Sequence, residues 1–439
     1  MSIELITILM FAGLILLLIS GLPIVFCLGG AGVIFAYFLW GPAALGIVNR
    51  SILGMTSNFT VLAIPLFVFM AFMLQYAGVA ENLYDMMHKW FGPVKGGLAM
   101  GTVVICAIIA AMSGLSATGT LTMALTALPA MLKRKYDKSI AIGSIMAGGA
   151  LGPLIPPSVP MVVYCFLVST SIGRMFLGGF LPGLLLTFLL VIYIGIRSYI
   201  QPNLCPALPP GERATWSEKF RSLMKVILPI LLIAGTLGTI FAGIATPTEG
   251  AAIGALGSIL CSIINRKFAW GNLKMSTYGT LKLTAMLMWI MIGASAFNAV
   301  YTGLGATELI KHTLSASGLN PWYIVILMQL ALFILGCIMD PNGILMITIP
   351  IYVPVIVELG FDPIWFGILF IMNMECAYLT PPFGWNIFYL KQTVPKGITL
   401  GDIYRSVPAF VAIQLVGLAL VMIFPQIVLY LPNTIMGSE

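Results

Sequence analysis

The chain has 439 residues, of which 60% are hydrophobic and only 8% are charged, and its formal net charge is +7. A soluble domain carries about 25% charged residues. The composition therefore excludes a soluble globular protein and predicts an all-α polytopic membrane protein, because many apolar runs approach the roughly 20 residues that a span needs. The basic residues are confined to one set of predicted loops, which argues against nucleic-acid binding. No nucleotide-binding, zinc-hydrolase or serine-hydrolase motif occurs, so we expect neither an enzyme nor a cofactor.

Residues 1–200 are predicted to hold five membrane crossings and one helical hairpin. The segment 79–90 has apolar residues on one face and charged residues on the other, which predicts a helix lying flat in the membrane interface. Residues 97–132 contain two apolar stretches of about 15 residues each, which are too short to cross a bilayer. They predict a re-entrant hairpin with its tip at Ser113–Ala117. The crossings are expected near 3–20, 23–40, 58–76, 139–168 and 175–199.

A polar, proline-rich stretch at 201–222 predicts a cytoplasmic linker, after which residues 223–439 repeat the pattern. We expect a second flat helix at 306–313 and a second re-entrant hairpin at 322–357, with its tip at Asp340–Gly343. The second set of crossings is expected near 223–241, 248–264, 281–301, 363–390 and 407–430.

The two halves match at a nearly constant offset. Gly78–Glu81 matches Gly305–Glu308 at an offset of 227 (308 − 81), and the pair Pro156-Pro157 matches Pro381-Pro382 at an offset of 225 (381 − 156). A constant offset over several features predicts a duplication. Because five crossings is an odd number, the second repeat is expected to be inverted relative to the first.

The positive charges give an independent prediction of sidedness. With the N-terminus outside, 18 of the 21 Lys and Arg residues fall in cytoplasmic segments, and only Arg50, Arg174 and Lys311 do not. Both termini are then periplasmic. Hairpin one (97–132) opens from the cytoplasm and hairpin two (322–357) from the outside, with their tips meeting near the midplane.

Both proline pairs lie in the middle of apolar spans. Proline removes a backbone donor and clashes with the preceding turn, so each helix must break. In a membrane such a break is tolerated only where the backbone faces protein or a wet cavity. Two breaks at corresponding places indicate the ion and substrate site of a secondary transporter.

Four irregular segments should therefore converge: the two hairpin tips and the two breaks. Unpaired carbonyl oxygens suit a small hard cation such as Na⁺, helped by the hydroxyls of Ser113 and Thr380. Helix N-termini beginning after the tips favour an anionic substrate. The candidate substrate-binding residues are Ser116, Thr118, Ser158, Asn342 and Asn386.

Few ionisable residues lie at membrane depth. Asp340 is expected to bind both ion and substrate, with a helix cap as the alternative. Glu375 is expected to be structural, pairing or hydrogen-bonding to hold the broken helix. His88 and His312 lie on the flat helices, where an interfacial role is expected.

The segments Gly149–Ser158 and Glu375–Asn386 resemble the paired signatures of the large membrane subunit of tripartite ATP-independent periplasmic (TRAP) transporters. The resemblance covers essentially the whole chain. It implies a Na⁺-driven secondary transporter of the bacterial inner membrane, in which both hairpins and both broken spans move like an elevator against a scaffold. It also implies two partners, a small membrane subunit of about four spans and a periplasmic substrate-binding protein.

The same resemblance implies a substrate that bears a carboxylate: a dicarboxylate, sialic acid, keto acid or sugar acid. Phe383 and Trp385 are bulkier than the small or aliphatic residues expected at their positions. The implied Na⁺ sites lie near Ser113, Gly152, Ile155 and Pro156, and near Asp340, Tyr378, Thr380 and Pro381.

Two alternatives remain open from the sequence. One is a self-sufficient two-hairpin carrier of the divalent-anion/Na⁺ type. Such carriers usually show Ser-Asn-Thr at the tips, whereas here the tips read Ser113-Gly114-Leu115 and Asp340-Pro341-Asn342. The other is a membrane enzyme or a passive channel, which gradient dependence of flux would separate from a carrier.

Overall fold

The computed structural model describes residues 2–306, 308–309, 318–395 and 397–437. Within these residues the regular elements are all helices, without a strand. The first-half α-helices are α1 Ile3–Ile19, α2 Ile24–Phe35, α3 Leu45–Thr56, α4 Ala63–Tyr76, α5 Val79–Phe91, α6 Gly97–Ser113, α7 Ser116–Lys133, α8 Lys138–Ala150, α9 Val159–Val168 and α10 Ile172–Ile200. The later ones are α11 Trp216–Met224, α12 Ile227–Phe241, α13 Pro247–Ile264, α14 Trp270–Gly303, α15 Pro321–Gly336, α16 Pro341–Glu358, α17 Pro363–Leu379, α18 Trp385–Thr393, α19 Leu400–Ile423 and α20 Gln426–Met436.

Among the described residues, six helical segments are long and apolar enough to cross a membrane, one of them α4 together with the 3-10 turn Phe59–Leu62 before it. The number is seven if the bent pair α11–α12 counts as one span. Several other predicted crossings are shorter apolar helices, including α1 and α2. The chain is thus a polytopic helical membrane protein, as the composition predicts.

One group of helices is built around α14. This 34-residue helix packs along α2, α3 and α4, and α13 packs along α4. Glycines allow the closest approaches. A Cβ at Gly32 would lie 2.9 Å from the backbone of Ala296 and Phe297, and one at Gly293 would lie 2.8 Å from the carbonyl oxygen of Val25. Small residues let membrane helices approach closely, so α2 and α14 form a tight pair. We call this set (α1–α4 and α12–α14) the scaffold group.

A second group contains both hairpins and both broken spans. Helices α6 and α7 pack against α8, whereas α15 and α16 pack against α17. The two sets are joined through α17, which contacts both α8 and α9. The hydroxyl of Tyr164 on α9 donates to the carbonyl of Pro363. We call the hairpins and broken spans (α6–α9 and α15–α18) the hairpin group.

Capping side chains start both broken spans. The Asp137 carboxylate accepts from the amides of Ser139 and Ile140 at 3.0 and 3.2 Å, immediately before α8. Asp362 does the same for Ile364 and Trp365, at 2.7 and 3.3 Å, immediately before α17. Asp is a favoured N-cap because it satisfies amides that have no partner inside the helix. Each broken span therefore starts at a residue whose side chain specifies a helix.

Several sequence predictions of local structure are confirmed. The helix expected over 79–90 is α5, and both spans break at their proline pairs, between α8 and α9 and between α17 and α18. The Pro156-Pro157 and Pro381-Pro382 peptide bonds are cis. The predicted second flat helix (306–313) falls mostly on 307 and 310–313, including His312, which lie outside the described residues.

Other predictions of local structure are wrong. The stretch between the predicted crossings at 23–40 and 58–76 is not a plain loop but contains helix α3, which carries Arg50. The last predicted crossing is two helices, because the chain breaks at Phe424 before Pro425. The arms of hairpin one have 17 and 18 residues rather than about 15. At 1.5 Å per residue they reach about 26 Å, so their length does not distinguish re-entrance from crossing. The irregular part of hairpin two is 337–340, one turn earlier than expected.

Candidate functional site

The tip of hairpin one lies against the first break. Gly114 adopts a left-handed conformation with φ of 61°, and a Cβ there would lie 2.4 Å from the carbonyl oxygen of Pro157. A Cβ at Gly152 would lie 2.5 Å from the carbonyl carbon of Leu115 and 2.6 Å from the amide of Ser116. Only glycine fits such approaches without movement of backbone. Two of the four predicted irregular segments are therefore in direct contact.

The second break reaches the same tip through side chains. The Ser116 hydroxyl donates to Asn386 Oδ1 at 2.6 Å, and Asn386 Nδ2 donates to the carbonyl oxygen of Met146 at 2.8 Å. Asn386 is fully buried. These bonds connect α7, α8 and α18, so Ser116 and Asn386 hold the second break against hairpin one.

The remaining substrate candidates differ in their surroundings. The Ser158 hydroxyl donates to the carbonyl of Pro153 and accepts from the amide of Met161, which makes Ser158 the N-cap of α9. Thr118 is 8% exposed on the first turn of α7. Their contact with a substrate stays a prediction, as does that of Ser116 and Asn386.

The proline pairs leave specific carbonyl oxygens without helical partners. In a helix, the carbonyl of residue i accepts from the amide of residue i+4, so Pro156 removes the donor for Gly152 and Pro382 removes the donor for Tyr378. Across the described residues, no donor reaches the carbonyl oxygens of Gly152, Ile155, Pro156 or Tyr378. Such oxygens fit a hard cation.

Two residues predicted to bind the ion through hydroxyls belong to the same segments, Ser113 at the tip of hairpin one and Thr380 at the second break. Ser113 is the last residue of α6 and is 3% exposed. The Thr380 hydroxyl donates to the carbonyl of Cys376 at 2.6 Å, whereas the Thr380 carbonyl accepts from the amide of Gly384 at 3.0 Å. The hydroxyl oxygen of Thr380 therefore keeps lone pairs for a cation. These oxygens are donors of the kind that Na⁺ takes, and the assignment of Na⁺ to both breaks stays a prediction, for Pro381 as for the other ligands.

Asp340 caps a helix. Its Oδ2 accepts from the amides of Asn342 and Gly343 at 3.1 and 3.2 Å, at the start of α16. The alternative interpretation of Asp340 as a cap is therefore correct for this oxygen, and a role in binding the ion or substrate stays a prediction.

Tip two (the end of hairpin two at Asp340–Gly343, which includes the first turn of α16) lies between the first break and the scaffold group. A cavity of about 10 Å³ is lined by residues of tip two, the first break and α17, among them Asn342, Pro153 and Tyr378. That volume is near the minimum for one water molecule. On its other side, a Cβ at Gly343 would lie 2.1 Å from Ile24 Cδ1. Ile24 is the first residue of α2, so tip two contacts the end of that helix rather than its middle.

The structural role expected for Glu375 is wrong in its detail. Glu375 is fully buried on α17, and neither carboxylate oxygen has a hydrogen-bond partner among the described residues. It neither pairs nor bonds to hold the break. Buried polar atoms without partners are uncommon.

The sequence interpretation missed a donor at the second break. Trp385 Nε1 is buried without a hydrogen-bond partner in the described part of the chain, one residue from Asn386. Trp385 also contacts Phe383, with ring centroids 5.6 Å apart, and Phe383 is 40% exposed. The signal was available, since an indole combines an apolar ring with one polar edge that usually finds a partner.

A larger cavity lies away from the predicted site residues. It measures about 760 Å³ and separates the scaffold group, at Ser51, Asn298 and Thr302, from the outer turns of α16 at Val353 and Val357. The cavity therefore marks a boundary between the two helix groups, not the place where the four irregular segments meet.

Comparisons with known proteins agree with this architecture. The family model described as "Tripartite ATP-independent periplasmic transporter, DctM component" matches residues 11–427. The C4-dicarboxylate TRAP transporter large permease protein DctM of Pseudomonas aeruginosa is 34% identical over 400 residues, covering 90% of this chain and 91% of that protein. The protein of the same name from Vibrio cholerae is 32% identical over 455 residues, covering 98% of each.

More distant relatives carry other substrate names. The ectoine TRAP transporter large permease protein TeaC of Halomonas elongata is 27% identical over 429 residues, covering 97% of this chain and 98% of that protein. The YdaH transporter of Alcanivorax borkumensis shares the fold, with a TM-score of 0.67 over 95% of this chain and 97% of that one, at 12% identity. The relatives are transporter permeases rather than enzymes. Because the family model matches nearly the whole length of this chain, the chain belongs to the large-permease (DctM component) family of TRAP transporters.

Proposed function

We propose that this chain is the large permease subunit of a Na⁺-coupled TRAP transporter of the bacterial inner membrane, importing an organic anion that bears a carboxylate. A periplasmic binding protein delivers the anion, and a small membrane subunit of about four spans completes the assembly. The family's tripartite name supports two further components, and relatives are named for C4-dicarboxylates, sialic acid and ectoine.

The observation that best supports an anionic substrate is a pair of uncapped helix N-termini at the site. Four helices begin at the convergent segments, and the N-termini of α9 and α16 are capped by Ser158 and Asp340. Helices α7 and α18 begin without a side-chain cap, after Leu115 and Gly384. The bond between Ser116 and Asn386 holds these two uncapped N-termini together. Free amides and the positive ends of two helix dipoles favour a carboxylate there, and the unpartnered Trp385 indole supplies another donor.

The coupling ion is assigned to the breaks. The carbonyls of Gly152, Ile155 and Pro156, with the Ser113 hydroxyl, form one proposed Na⁺ site. The carbonyls of Tyr378 and Pro381, with Thr380 and Asp340, form the other. A cation at either site reduces the repulsion that an incoming carboxylate meets from carbonyl oxygens, so ion and substrate binding reinforce each other.

We further propose that residues 1–200 and 223–439 are inverted repeats and that the hairpin group moves as an elevator. The matching order of hairpin and broken span in each half supports the repeat. The 760 Å³ cavity between the two groups, and the contact of Gly343 with the end of α2 rather than its middle, support a movable boundary between hairpin and scaffold groups.

Uptake into proteoliposomes tests the coupling and the partners. The chain is reconstituted with its small membrane subunit, and candidate carboxylates are supplied on the binding protein with or without an inward Na⁺ gradient. We expect uptake only with both. Na⁺-driven uptake of free substrate without binding protein would instead favour the self-sufficient carrier, and flux down the substrate gradient without Na⁺ would indicate a channel.

Cross-linking tests the movement. In a chain lacking other cysteines, Ile24→Cys and Gly343→Cys place two thiols at the contact of tip two with α2, and a Cβ at 343 would lie 3.6 Å from Ile24 Cγ1. We expect oxidation to stop uptake and reduction to restore it. The matched control is Gly119→Cys with native Cys106, whose Cβ atoms would lie 3.9 Å apart within hairpin one, inside the usual disulfide range. Full uptake by the oxidised 24–343 pair would refute the elevator.

A further inference from the structure

Helix α11 exposes a continuous apolar stripe although it follows the polar linker. Trp216, Phe220 and Met224 are 68%, 56% and 68% exposed, and their spacing of four residues places them on one helix face. The stripe continues into α12, where Ile227 and Leu231 are 41% and 60% exposed. Helix α12 bends away from α11 by 46°. Because α12 is an apolar helix of 15 residues, the stripe of α11 continues onto an exposed apolar surface of the kind that faces lipid.

Packing fixes the position of α11. Trp90 of α5 donates from its indole to the carbonyl oxygen of Lys219 at 3.2 Å. The Trp90 ring packs edge-on against Trp216 and Phe220, with centroids 6.3 and 6.0 Å apart. The linker is also attached, since the amide of Leu208 donates to the carbonyl of Gly92 at 2.9 Å. Helix α11 therefore rests on α5 through one edge of the stripe, and more than half of the surface of Trp216, Phe220 and Met224 is left uncovered by the described residues.

Cations border the stripe. At 100° per residue, Lys219 and Arg221 lie on opposite sides of the Trp216–Phe220–Met224 line, and Lys225 follows at the end of the helix. The Lys219 ammonium lies 4.7 Å from the centre of the Trp216 ring. Long basic side chains beside apolar surface commonly extend their charge toward lipid headgroups.

The nearby carboxylates are already engaged. Glu218 accepts from the amide and hydroxyl of Thr215 at 2.8 and 2.9 Å, as the second half of a capping box. Glu212 pairs with Arg134 at 2.6 Å, and Asp85 pairs with Lys89 at 2.7 Å. Within the described residues, none of these acids pairs with Lys219, Arg221 or Lys225, so the cations are available to an external anion.

We propose that α11 is a bilayer-surface helix that binds anionic phospholipid headgroups. The apolar stripe enters the boundary between headgroups and acyl chains, and Lys219, Arg221 and Lys225 contact lipid phosphates. The continuity of the stripe with α12 and the excess positive charge at its edges both favour an anionic bilayer over a protein partner. This assignment does not depend on the transported substrate or on the coupling ion.

Site-specific quenching tests the assignment. In the full chain without native cysteines, Phe220→Cys carries a bimane fluorophore, and the protein is reconstituted in phosphatidylcholine with increasing brominated phosphatidylglycerol or brominated phosphatidylcholine. We expect both lipids to quench, with the anionic lipid favoured about fivefold or more, because one cation near the surface contributes about that factor. The variant K219Q/R221Q/K225Q should quench equally with both lipids.

A label at Leu231→Cys on α12 is the matched control, since it faces lipid away from the cations and should show no preference. Met224→Cys replaces Phe220→Cys if that variant does not fold. Absence of quenching at 220 and 224 would overturn the proposal. So would equal quenching by the anionic and the neutral lipid in the chain that keeps Lys219, Arg221 and Lys225. Loss of quenching on adding the small membrane subunit would also overturn it, by assigning the stripe to that subunit.

Discussion

Replacing Gly152 by alanine should separate the first break from the tip of hairpin one. The added Cβ would lie 2.5, 2.6 and 2.7 Å from backbone atoms of Leu115 and Ser116. Carbon contacts are optimal near 3.5 Å, so the two backbones must separate by about 1 Å. Overpacking of this kind costs about 1–3 kcal/mol. In a positioned site, a displacement of about 1 Å lowers the rate about a hundredfold. We expect the Na⁺ concentration needed for half-maximal uptake to rise by tenfold or more.

The assay is initial uptake against Na⁺ concentration in proteoliposomes, with thermal unfolding measured on the same preparations. Gly238→Ala is the control, because a Cβ there meets nothing within 4 Å. It lies inside α12, where alanine stabilises a helix by up to about 1 kcal/mol over glycine. If folded Gly152→Ala protein showed the same Na⁺ dependence as Gly238→Ala, the contact between break and tip would not shape the ion site.

Three further variants test the charge of Asp340, the hydrogen bond between Ser116 and Asn386, and the break at the first proline pair. Asp340→Asn should keep the cap of α16, since Asn and Asp cap equally well, but reduce Na⁺-dependent uptake strongly; normal uptake with normal Na⁺ dependence would remove the Asp340 charge from the site. Ser116→Ala should lower the free energy of unfolding by about 1 kcal/mol through loss of the bond to Asn386, and an unchanged unfolding midpoint would show that this bond contributes nothing. Pro156→Ala with Pro157→Ala should weaken the Na⁺ dependence of uptake, because an amide at 156 can pair with the carbonyl of Gly152; an unaltered Na⁺ response would exclude this break as an ion site.

Some features of the fold followed from short sequence signals. A proline pair in an apolar span specifies a break wherever it occurs, so both breaks were predictable. Helix α5 was predictable from its two faces. The pair Asp340-Pro341 also carried a signal, because a capping residue followed by proline marks the first turn of a helix. The irregular tip of hairpin two therefore had to end at Asp340 rather than begin there. Pro425 likewise marks the end of α19.

Other features depend on contacts between distant residues. Helix α3 has only 12 residues and carries Arg50, and its packing on α14 rather than its own propensity makes it helical. The orphaned carboxylate of Glu375 depends on what α17 packs against. A sequence pattern gives the spacing along one helix and not the groups that face it from another.

The candidate site combines both kinds of information. Pro156 and Pro382 each remove the amide that the carbonyl four residues earlier would use, so the sequence itself names Gly152 and Tyr378 as sources of unpaired oxygen. Whether those oxygens face lipid, protein or a cation depends on contacts between distant parts of the chain. These contacts are the close approach of Gly152 to Leu115 and the bond from Ser116 to Asn386, 270 residues apart. A helix break becomes an ion site only when such contacts enclose it. For this reason we expect Gly152→Ala, which leaves every proposed ligand in place, to impair Na⁺ coupling as severely as the loss of a ligand.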